Sequence, residues 1–172
     1  DTRSVDAVVA EAIAHAPQAV IVIRSTVPVG YTRAACARFA TERILFAPEF
    51  LREGYAVHDT LSPDRIVLGV QDDSARAEAA VRELYGTLLD EGVPLLVTDL
   101  QTAELVKVSA NAFLATKISF INAMAEVCEI VDADVTVLSQ ALGYDDRIGK
   151  RFLNAGLGFG GGCLPKDIRA FM

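Results

Sequence analysis

The chain has 172 residues, of which 52% are hydrophobic and 23% are charged, a composition typical of a globular protein and unlike that of disordered or fibrous chains. Its net charge of −7 argues against a general surface for nucleic acids or anionic membranes, although a local basic pocket for phosphates stays compatible with it. The sequence shows no signal peptide and no long uncharged apolar span. We therefore expect neither a nucleic-acid partner nor a membrane partner.

Cysteine and histidine usage bears on the compartment and on metal binding. Cys36, Cys128 and Cys163 are odd in number and widely spaced, without a C-x-x-C pair, which suits a reducing cytoplasm and argues against a zinc site. His15 and His58 are too few and too scattered to complete one. The sequence thus predicts a cytoplasmic protein without a bound metal.

The first half of the sequence alternates helical and strand-like patterns. Helices are predicted over residues 5–14, 31–40 and 74–89, and strands over residues 19–24, 43–46, 65–70 and 94–98. Strands that are separated by helices imply an α/β fold, with a mostly parallel sheet and helices on both of its faces.

A long helix is predicted next, with Asp99 as its N-cap and its end near residue 131. Its apolar residues cover more than one face: Phe113, Leu114, Ile118, Phe120, Ile121, Met124 and Val127. We therefore expect this helix to pack on its own domain and on a second subunit, in a homodimer formed through residues 100–131. A shorter helix is predicted over residues 135–142, and the loop 144–149 follows it.

A glycine-rich turn at residues 158–167 presents a single thiol, Cys163, with Lys166 and Asp167 close behind it. Glycines let backbone amides approach a bound group closely, and a nearby lysine favours the thiolate that attacks carbonyl carbon. The pattern therefore fits a presented nucleophile. The alternative is an ordinary tight turn with a buried, inert cysteine.

Lys107 and Asn111 stand four residues apart, about fifty residues before the thiol. On a helix this spacing places an ammonium and a carboxamide on one face, where they could hold and polarise one small polar group. They interrupt a largely apolar stretch, so a bound ligand is a candidate partner for them. Two solvated side chains are the alternative.

Two further motifs each follow a short apolar run. Residues 24–30 carry Ser25 and Thr26 before a proline-containing turn, the order expected at the carboxyl end of a strand, where ligands gather in open α/β sheets. Residues 47–54 carry Glu49 and Glu53, again four apart. For this second pair the alternative is the first turn of an ordinary helix with favourable acidic residues.

Together and in this order, the four motifs resemble the nucleotide-sugar 6-dehydrogenases, the family of UDP-glucose dehydrogenase and GDP-mannose dehydrogenase. The resemblance covers essentially the whole chain, and residues 152–156 and the glycine turn look more like the UDP-glucose enzymes. Members of this family also have a glycine-rich dinucleotide fingerprint on their first strand and a second Rossmann-like domain at their end, and neither occurs in this sequence.

The resemblance therefore implies an internal fragment. Residues 1–98 would be the later part of a Rossmann-like NAD-binding domain, and residues 99–172 an all-α central dimerisation domain that begins with the long helix. Such a fragment is expected to have no activity by itself. A compact protein of this size is the alternative.

The resemblance also implies a reaction, the oxidation of a sugar C6 alcohol to a carboxylate with two NAD molecules. Cys163 would be the nucleophile that forms a thiohemiacetal and then a thioester. Lys107 and Asn111 would stabilise the oxyanion, and Asp167 would support Lys107 or a water molecule. Glu49, with Thr26 beside it, would activate the water that hydrolyses the thioester.

Binding residues follow from the same resemblance. Those expected to contact the nucleotide sugar are Glu49, Phe50, Leu51, Lys107, Asn111, Phe152, Leu153, Asn154, Ala155, Gly156 and Gly160, with Arg147 reaching in from the neighbouring subunit. Those expected to approach NAD are Ser25, Thr26, Glu53 and Lys166. Gly162 and Leu164 replace residues that are common in the family, serine and phenylalanine, and leave the sugar and the nucleotide open.

Other functions stay open at this point. GDP-mannose or UDP-N-acetylmannosamine could be the substrate in place of UDP-glucose. A non-catalytic dimerisation module would use the long helix alone and be indifferent to Lys107, Asn111 and Cys163. Another thiol enzyme is a third possibility, although a cysteine hydrolase would want a histidine that this chain can hardly supply.

Overall fold

A computed structural model of the chain describes residues 2–71, 75–160, 162, 164, 165 and 167. Its elements in chain order are α1 (Arg3–His15), β1 (Ile21–Ile23), α2 (Tyr31–Arg38), β2 (Ile44–Phe46), α3 (Ala56–Leu61), β3 (Ile66–Val70), α4 (Ala75–Leu84), α5 (Gly86–Asp90), β4 (Leu95–Asp99), α6 (Leu100–Val131) and α7 (Val135–Gly143). The chain divides into two compact units, residues 1–107, called the sheet unit here, and residues 108–172, called the helical unit. The domain boundary after residue 98 stays a prediction.

The four strands form one sheet in the order β1-β2-β3-β4. Strand β1 pairs with β2 in parallel and β3 with β4 in parallel, as predicted, whereas β2 and β3 are antiparallel through the single residue pair Phe46 and Gly69. The segment 47–65 reverses the chain direction and does not carry it back to the start of β2, which a parallel pair would require. The predicted α/β fold class is confirmed.

The sheet unit packs helices on both faces of the sheet because neighbouring residues of a strand point to opposite sides. In β2, Ile44 and Phe46 join the cluster formed with α1, α2 and the start of α6, while Leu45 joins the cluster formed with α4. Gly69 lets strand β3 approach helix α6 closely, because a Cβ atom at this position would lie only 2.7 Å from Ala103 Cβ in α6.

Helix boundaries agree with the sequence patterns except in two places. Asp99 accepts hydrogen bonds from Thr102 N (2.9 Å) and Thr102 Oγ1 (2.6 Å), so it caps α6 as expected. The helix predicted over 74–89 is two helices, α4 and α5, separated at Tyr85, and residue 74 lies outside the described residues. Helix α3 was not predicted, because its six residues carry no apolar periodicity.

The helical unit contains the rest of α6 and the whole of α7, whose N-cap Asp134 accepts hydrogen bonds from Thr136 N and Val137 N. On α6, Phe113, Phe120 and Val127 are exposed and seven residues apart, so they lie along one stripe of the helix. Across the described part of the chain, no helix is both long enough and apolar enough to cross a membrane.

Candidate active site

The glycine turn is described only in part. Cys163 and Lys166, the predicted nucleophile and a predicted NAD-binding residue, lie outside the described residues. The two other cysteines, Cys36 and Cys128, are buried free thiols. Burial raises the pKa of Cys36, whose Sγ donates to Ile44 O (3.4 Å), so this thiol is a poor nucleophile.

The loop after β2 places the first predicted carboxylate. Residues 47–52 have no regular secondary structure and helix α3 begins only at Ala56, so the interpretation of Glu49 and Glu53 as part of a first helical turn is wrong. Instead, the Glu49 Oε2 atom accepts a hydrogen bond from Leu51 N at 2.7 Å. This contact folds the loop back on itself and leaves Leu51 and Glu53 exposed.

Lys107, Glu49 and Phe50 are brought together in the sheet unit. Lys107 is only 6% exposed, and its ammonium donates to Glu49 O at 2.6 Å and to Glu49 Oε1 at 3.1 Å. The Phe50 ring lies 5.5 Å from Lys107 Nζ and 3.9 Å from Arg65 Cζ, within the range of cation–π contacts. Lys107 is therefore buried and paired, in contrast to the solvated alternative.

A second set of contacts fixes the loop beyond Glu49. Arg52 donates to Asp59 from its backbone N (2.9 Å), Nε (2.9 Å) and Nη2 (2.5 Å). These charge-assisted bonds hold the pKa of the buried Asp59 carboxyl well below its usual range. Sequence reasoning missed this pair, since no local pattern links an arginine to an aspartate seven residues away.

The loop after β1 holds two residues predicted to approach NAD. Ser25 is exposed and Thr26 half-buried, and the loop is anchored next to them by the buried Val27. Glu104 of α6 is 1% exposed and accepts hydrogen bonds from Gly30 N (2.5 Å) and Thr32 N (2.8 Å). It thereby caps α2, whose own N-cap residue, Gly30, has no side chain for this purpose.

In the helical unit, two other predicted catalytic residues meet. Asn111 Nδ2 donates to Asp167 Oδ2 at 2.5 Å, and Asp167 is buried. The carboxylate can fix which way the amide faces, because an amide nitrogen only donates and its oxygen only accepts. Asn111 Oδ1 is then turned away from Asp167, and the amide orientation is set by a residue 56 positions further along the chain.

The predicted substrate loop is also in the helical unit. Phe152 has a φ of +65°, a left-handed conformation that is costly for an aromatic residue, and the next residue, Leu153, is 1% exposed. Asn154, Ala155, Gly156 and Gly160 are exposed. Arg147 belongs to the preceding loop, where its guanidinium pairs with Asp145 (Nη2 to Oδ2, 2.6 Å) on the surface.

Two domain models of one family match the chain. Residues 1–89 match the NAD-binding domain of the UDP-glucose/GDP-mannose dehydrogenase family, and residues 101–172 match its central domain. The UDP-glucose 6-dehydrogenase of Rickettsia typhi is 53% identical over 154 residues, which are 87% of this chain and 35% of that protein. The chain thus spans about a third of the length of the curated relatives it matches.

Solved structures agree with this assignment. A UDP-glucose dehydrogenase from Pyrobaculum islandicum is 42% identical with a TM-score of 0.79, over 87% of this chain and 35% of that one. A GDP-mannose dehydrogenase from Pseudomonas aeruginosa is 26% identical with a TM-score of 0.74, over 99% and 42% of the two chains. The chain belongs to the UDP-glucose/GDP-mannose dehydrogenase family.

Proposed function

We propose that the protein is an NAD-dependent UDP-glucose 6-dehydrogenase that converts the sugar C6 alcohol to a carboxylate, giving UDP-glucuronate. Sequence identity supports the choice of substrate, since the Rickettsia UDP-glucose enzymes are 49% to 53% identical and the GDP-mannose enzyme of known structure 26%. The observation that carries the proposal is the buried Lys107 ammonium held by Glu49.

Lys107 is suited to stabilise negative charge on a substrate oxygen. An ammonium has three N–H donors, and Glu49 takes two of them among the described residues. The third donor can point to the oxygen that becomes anionic when a nucleophile adds to the C6 aldehyde. Because the cation is already desolvated and fixed, it does not have to reorganise when the charge develops.

Cys163 is the proposed nucleophile. Once the C6 alcohol has been oxidised to the aldehyde, the thiolate would add to the aldehyde carbon to form the anion of a thiohemiacetal. Transfer of a hydride from that carbon, with bound NAD as the acceptor, would then leave a thioester. Asn111, with its amide oriented by Asp167, would stabilise the oxyanion by donating a hydrogen bond, as the family resemblance implies. Glu49 would take a proton from the water that attacks the thioester, which releases the Cys163 thiol and the carboxylate product.

The residues after β1 and β2 fit an NAD-binding role, since exposed hydroxyl and carboxylate groups lie where parallel strands end. Ser25, Thr26 and Glu53 would hold the dinucleotide, with Lys166 as a fourth contact. When bound, NAD accepts one hydride in each of the two oxidations, and two molecules are used for each sugar.

The nucleotide sugar would be bound by two loops and a few side chains. The groups that we assign to it are Glu49, Phe50, Leu51, Lys107, Asn111, Phe152, Leu153, Asn154, Ala155, Gly156 and Gly160. Arg147, whose side chain is 89% exposed on the surface loop, would contact the sugar of a neighbouring subunit, as the family resemblance implies. The proposal includes a homodimer through α6, with the exposed stripe Phe113, Phe120 and Val127 at the centre of its interface. It also includes a cytoplasmic location.

The experiment that tests the function is replacement of the thiol in the full-length protein. Cys163→Ala and Cys163→Ser should both abolish UDP-glucuronate formation, because a serine hydroxyl is far harder to ionise at neutral pH than a thiol. The matched control is Cys128→Ala, which removes a buried thiol and should keep the activity. UDP-glucose, GDP-mannose and UDP-N-acetylmannosamine would be compared as substrates.

NADH formation by Cys163→Ala at close to the parent rate would contradict the assignment of the nucleophile. A parent protein that oxidises GDP-mannose faster than UDP-glucose would contradict the assignment of the substrate. A reactive thiol that UDP-glucose protects from alkylation would distinguish the dehydrogenase from a non-catalytic dimerisation module.

A further inference from the structure

The proposed substrate loop is tied to the helical unit at two points of its backbone. Ser139 Oγ of α7 donates to Leu153 O, and Asn122 Oδ1 of α6 accepts from Gly156 N at 2.8 Å. Each anchor is a side chain on a helix, and each bonds a backbone group of the loop. Neither residue belongs to the proposed reaction chemistry.

The two anchors bracket the part of the loop that is open to a ligand. Asn154 and Ala155 lie between the anchored positions and are exposed, whereas the Leu153 side chain is buried. The left-handed backbone of Phe152 directly before the first anchor needs support from its surroundings, because such a conformation costs energy for a residue with a side chain. The two hydrogen bonds therefore hold the loop backbone on both sides of its exposed segment.

We propose that Asn122 and Ser139 are positioning residues that pre-form the loop for the nucleotide sugar. A loop that is already ordered loses less conformational entropy when the ligand binds, so the anchors should raise affinity for the sugar nucleotide. The rates of the chemical steps depend on other groups and should change little. The effect on affinity rests on the proposed function of the loop.

The first measurement is amide hydrogen exchange in the full-length protein without substrate. Asn122→Ala removes the acceptor of the Gly156 N–H bond, so exchange at Gly156 should become roughly tenfold faster, with exchange in α7 unchanged. Asn122→Asp keeps an oxygen at the same place and should restore slow exchange at Gly156. The control is Thr116→Ala, which removes only a bond within α6, from Thr116 Oγ1 to Ala112 O.

The second measurement is steady-state kinetics with UDP-glucose and NAD varied separately. Ser139→Ala should raise KM for UDP-glucose roughly fivefold, with kcat and KM for NAD within about twofold of the parent values. Ser139→Thr keeps the hydroxyl and should return KM toward the parent value. Val137→Ala, which shortens a 60% exposed side chain of α7 that does not line the cavity beside Asn154 and Ala155, is the matched control.

Unchanged exchange at Gly156 in Asn122→Ala, or faster exchange throughout α6 and α7, would overturn the anchoring role. For Ser139→Ala, a fall in kcat together with similar rises in KM for UDP-glucose and for NAD would also overturn it. A merely structural role predicts such a general loss of activity. The exchange measurement needs no turnover. A parent protein that oxidises no nucleotide sugar would therefore contradict the proposed function, while the exchange result would still decide whether the loop is anchored.

Discussion

The sheet unit and the helical unit bury their apolar residues in different ways. In the sheet unit, both faces of the sheet are covered by clusters of buried side chains from helices of the same unit. In the helical unit, Ile121, Cys128 and Leu153 are buried, but a stripe of large apolar side chains on α6 is exposed. Core substitutions in the sheet unit should therefore act on folding, whereas substitutions on the α6 stripe should act on the proposed homodimer.

The largest expected effect is on the proposed catalytic activity and concerns Lys107 of the sheet unit. In the full-length protein, Lys107→Met should lower the proposed UDP-glucose oxidation by a factor on the order of 10²–10³, the usual loss when one preorganised charge-stabilising donor is removed. The protein should remain folded, because the Glu49 side chain is 31% exposed and can be solvated by water without Lys107. Arg82→Met, which removes an exposed cation of the same unit, is the control. Activity within tenfold of the parent would contradict the role of Lys107.

The next largest effect is expected at the exposed stripe of the helical unit and concerns the proposed homodimer. Phe120→Glu places a charge in the middle of the stripe, so the proposed homodimer should dissociate at micromolar concentration, as measured by light scattering. Val8→Glu changes an exposed apolar residue of α1 in the sheet unit and should leave the dimer intact. A parent protein that is monomeric at this concentration would remove the basis for placing Arg147 in a neighbouring active site.

A smaller effect concerns the stability of the sheet unit. Glu104→Leu leaves Gly30 N and the buried Thr32 N without their carboxylate acceptor, so the free energy of unfolding should fall by about 2–4 kcal/mol. Urea unfolding followed by circular dichroism would measure it. Glu78→Leu removes a surface ion pair with Arg82 and should cost less than about 0.5 kcal/mol. Equal losses in the two variants would show that Glu104 does not anchor α2.

The smallest expected effect is on the pH dependence of the free energy of unfolding. The pKa of Asp59 is lowered in the folded protein by its bonds to Arg52, so this pair stabilises the fold at neutral pH, and the stabilisation is lost as pH falls below the ordinary carboxyl pKa of about 4. Arg52→Gln should therefore reduce the difference in unfolding free energy between pH 7 and pH 3. An unchanged difference would mean that other carboxylates, such as Asp99, account for the acid sensitivity.

Local patterns in the sequence predicted the helices and strands whose formation depends on residues close together in the chain. Helix α6 and its cap Asp99 follow from periodicity and capping, and the strands follow from short apolar runs. The antiparallel pairing of β2 with β3 depends on the path of segment 47–65, which has no local signature. Helix α3 is too short for periodicity to identify.

The residues of the candidate site also divide into those that the sequence indicated and those that only the fold reveals. Lys107 and Glu49 are 58 residues apart, and their common role came from the family resemblance and not from any spacing rule. Glu104, Asp59 and Asn122 were missed because each acts through a backbone group or side chain that only the fold brings near. Glu104 stands four residues from both Leu100 and Val108, so a carboxylate on the apolar face of the predicted helix is a signal that could have identified it.

The single residue pair between β2 and β3 has a consequence for the order of folding. Strands β1 and β2, with α2 between them, and strands β3 and β4, with α4 and α5 between them, are each connected locally and can pair before the two halves meet. Phe46 and Gly69 join the halves, and Gly69 also contacts the start of α6. Glu49 follows the first half and Lys107 follows the second, so their ion pair can form only when the halves have joined. Its formation would therefore report that the two halves of the sheet unit have joined, and a chain in which they are still apart would lack this part of the proposed active site.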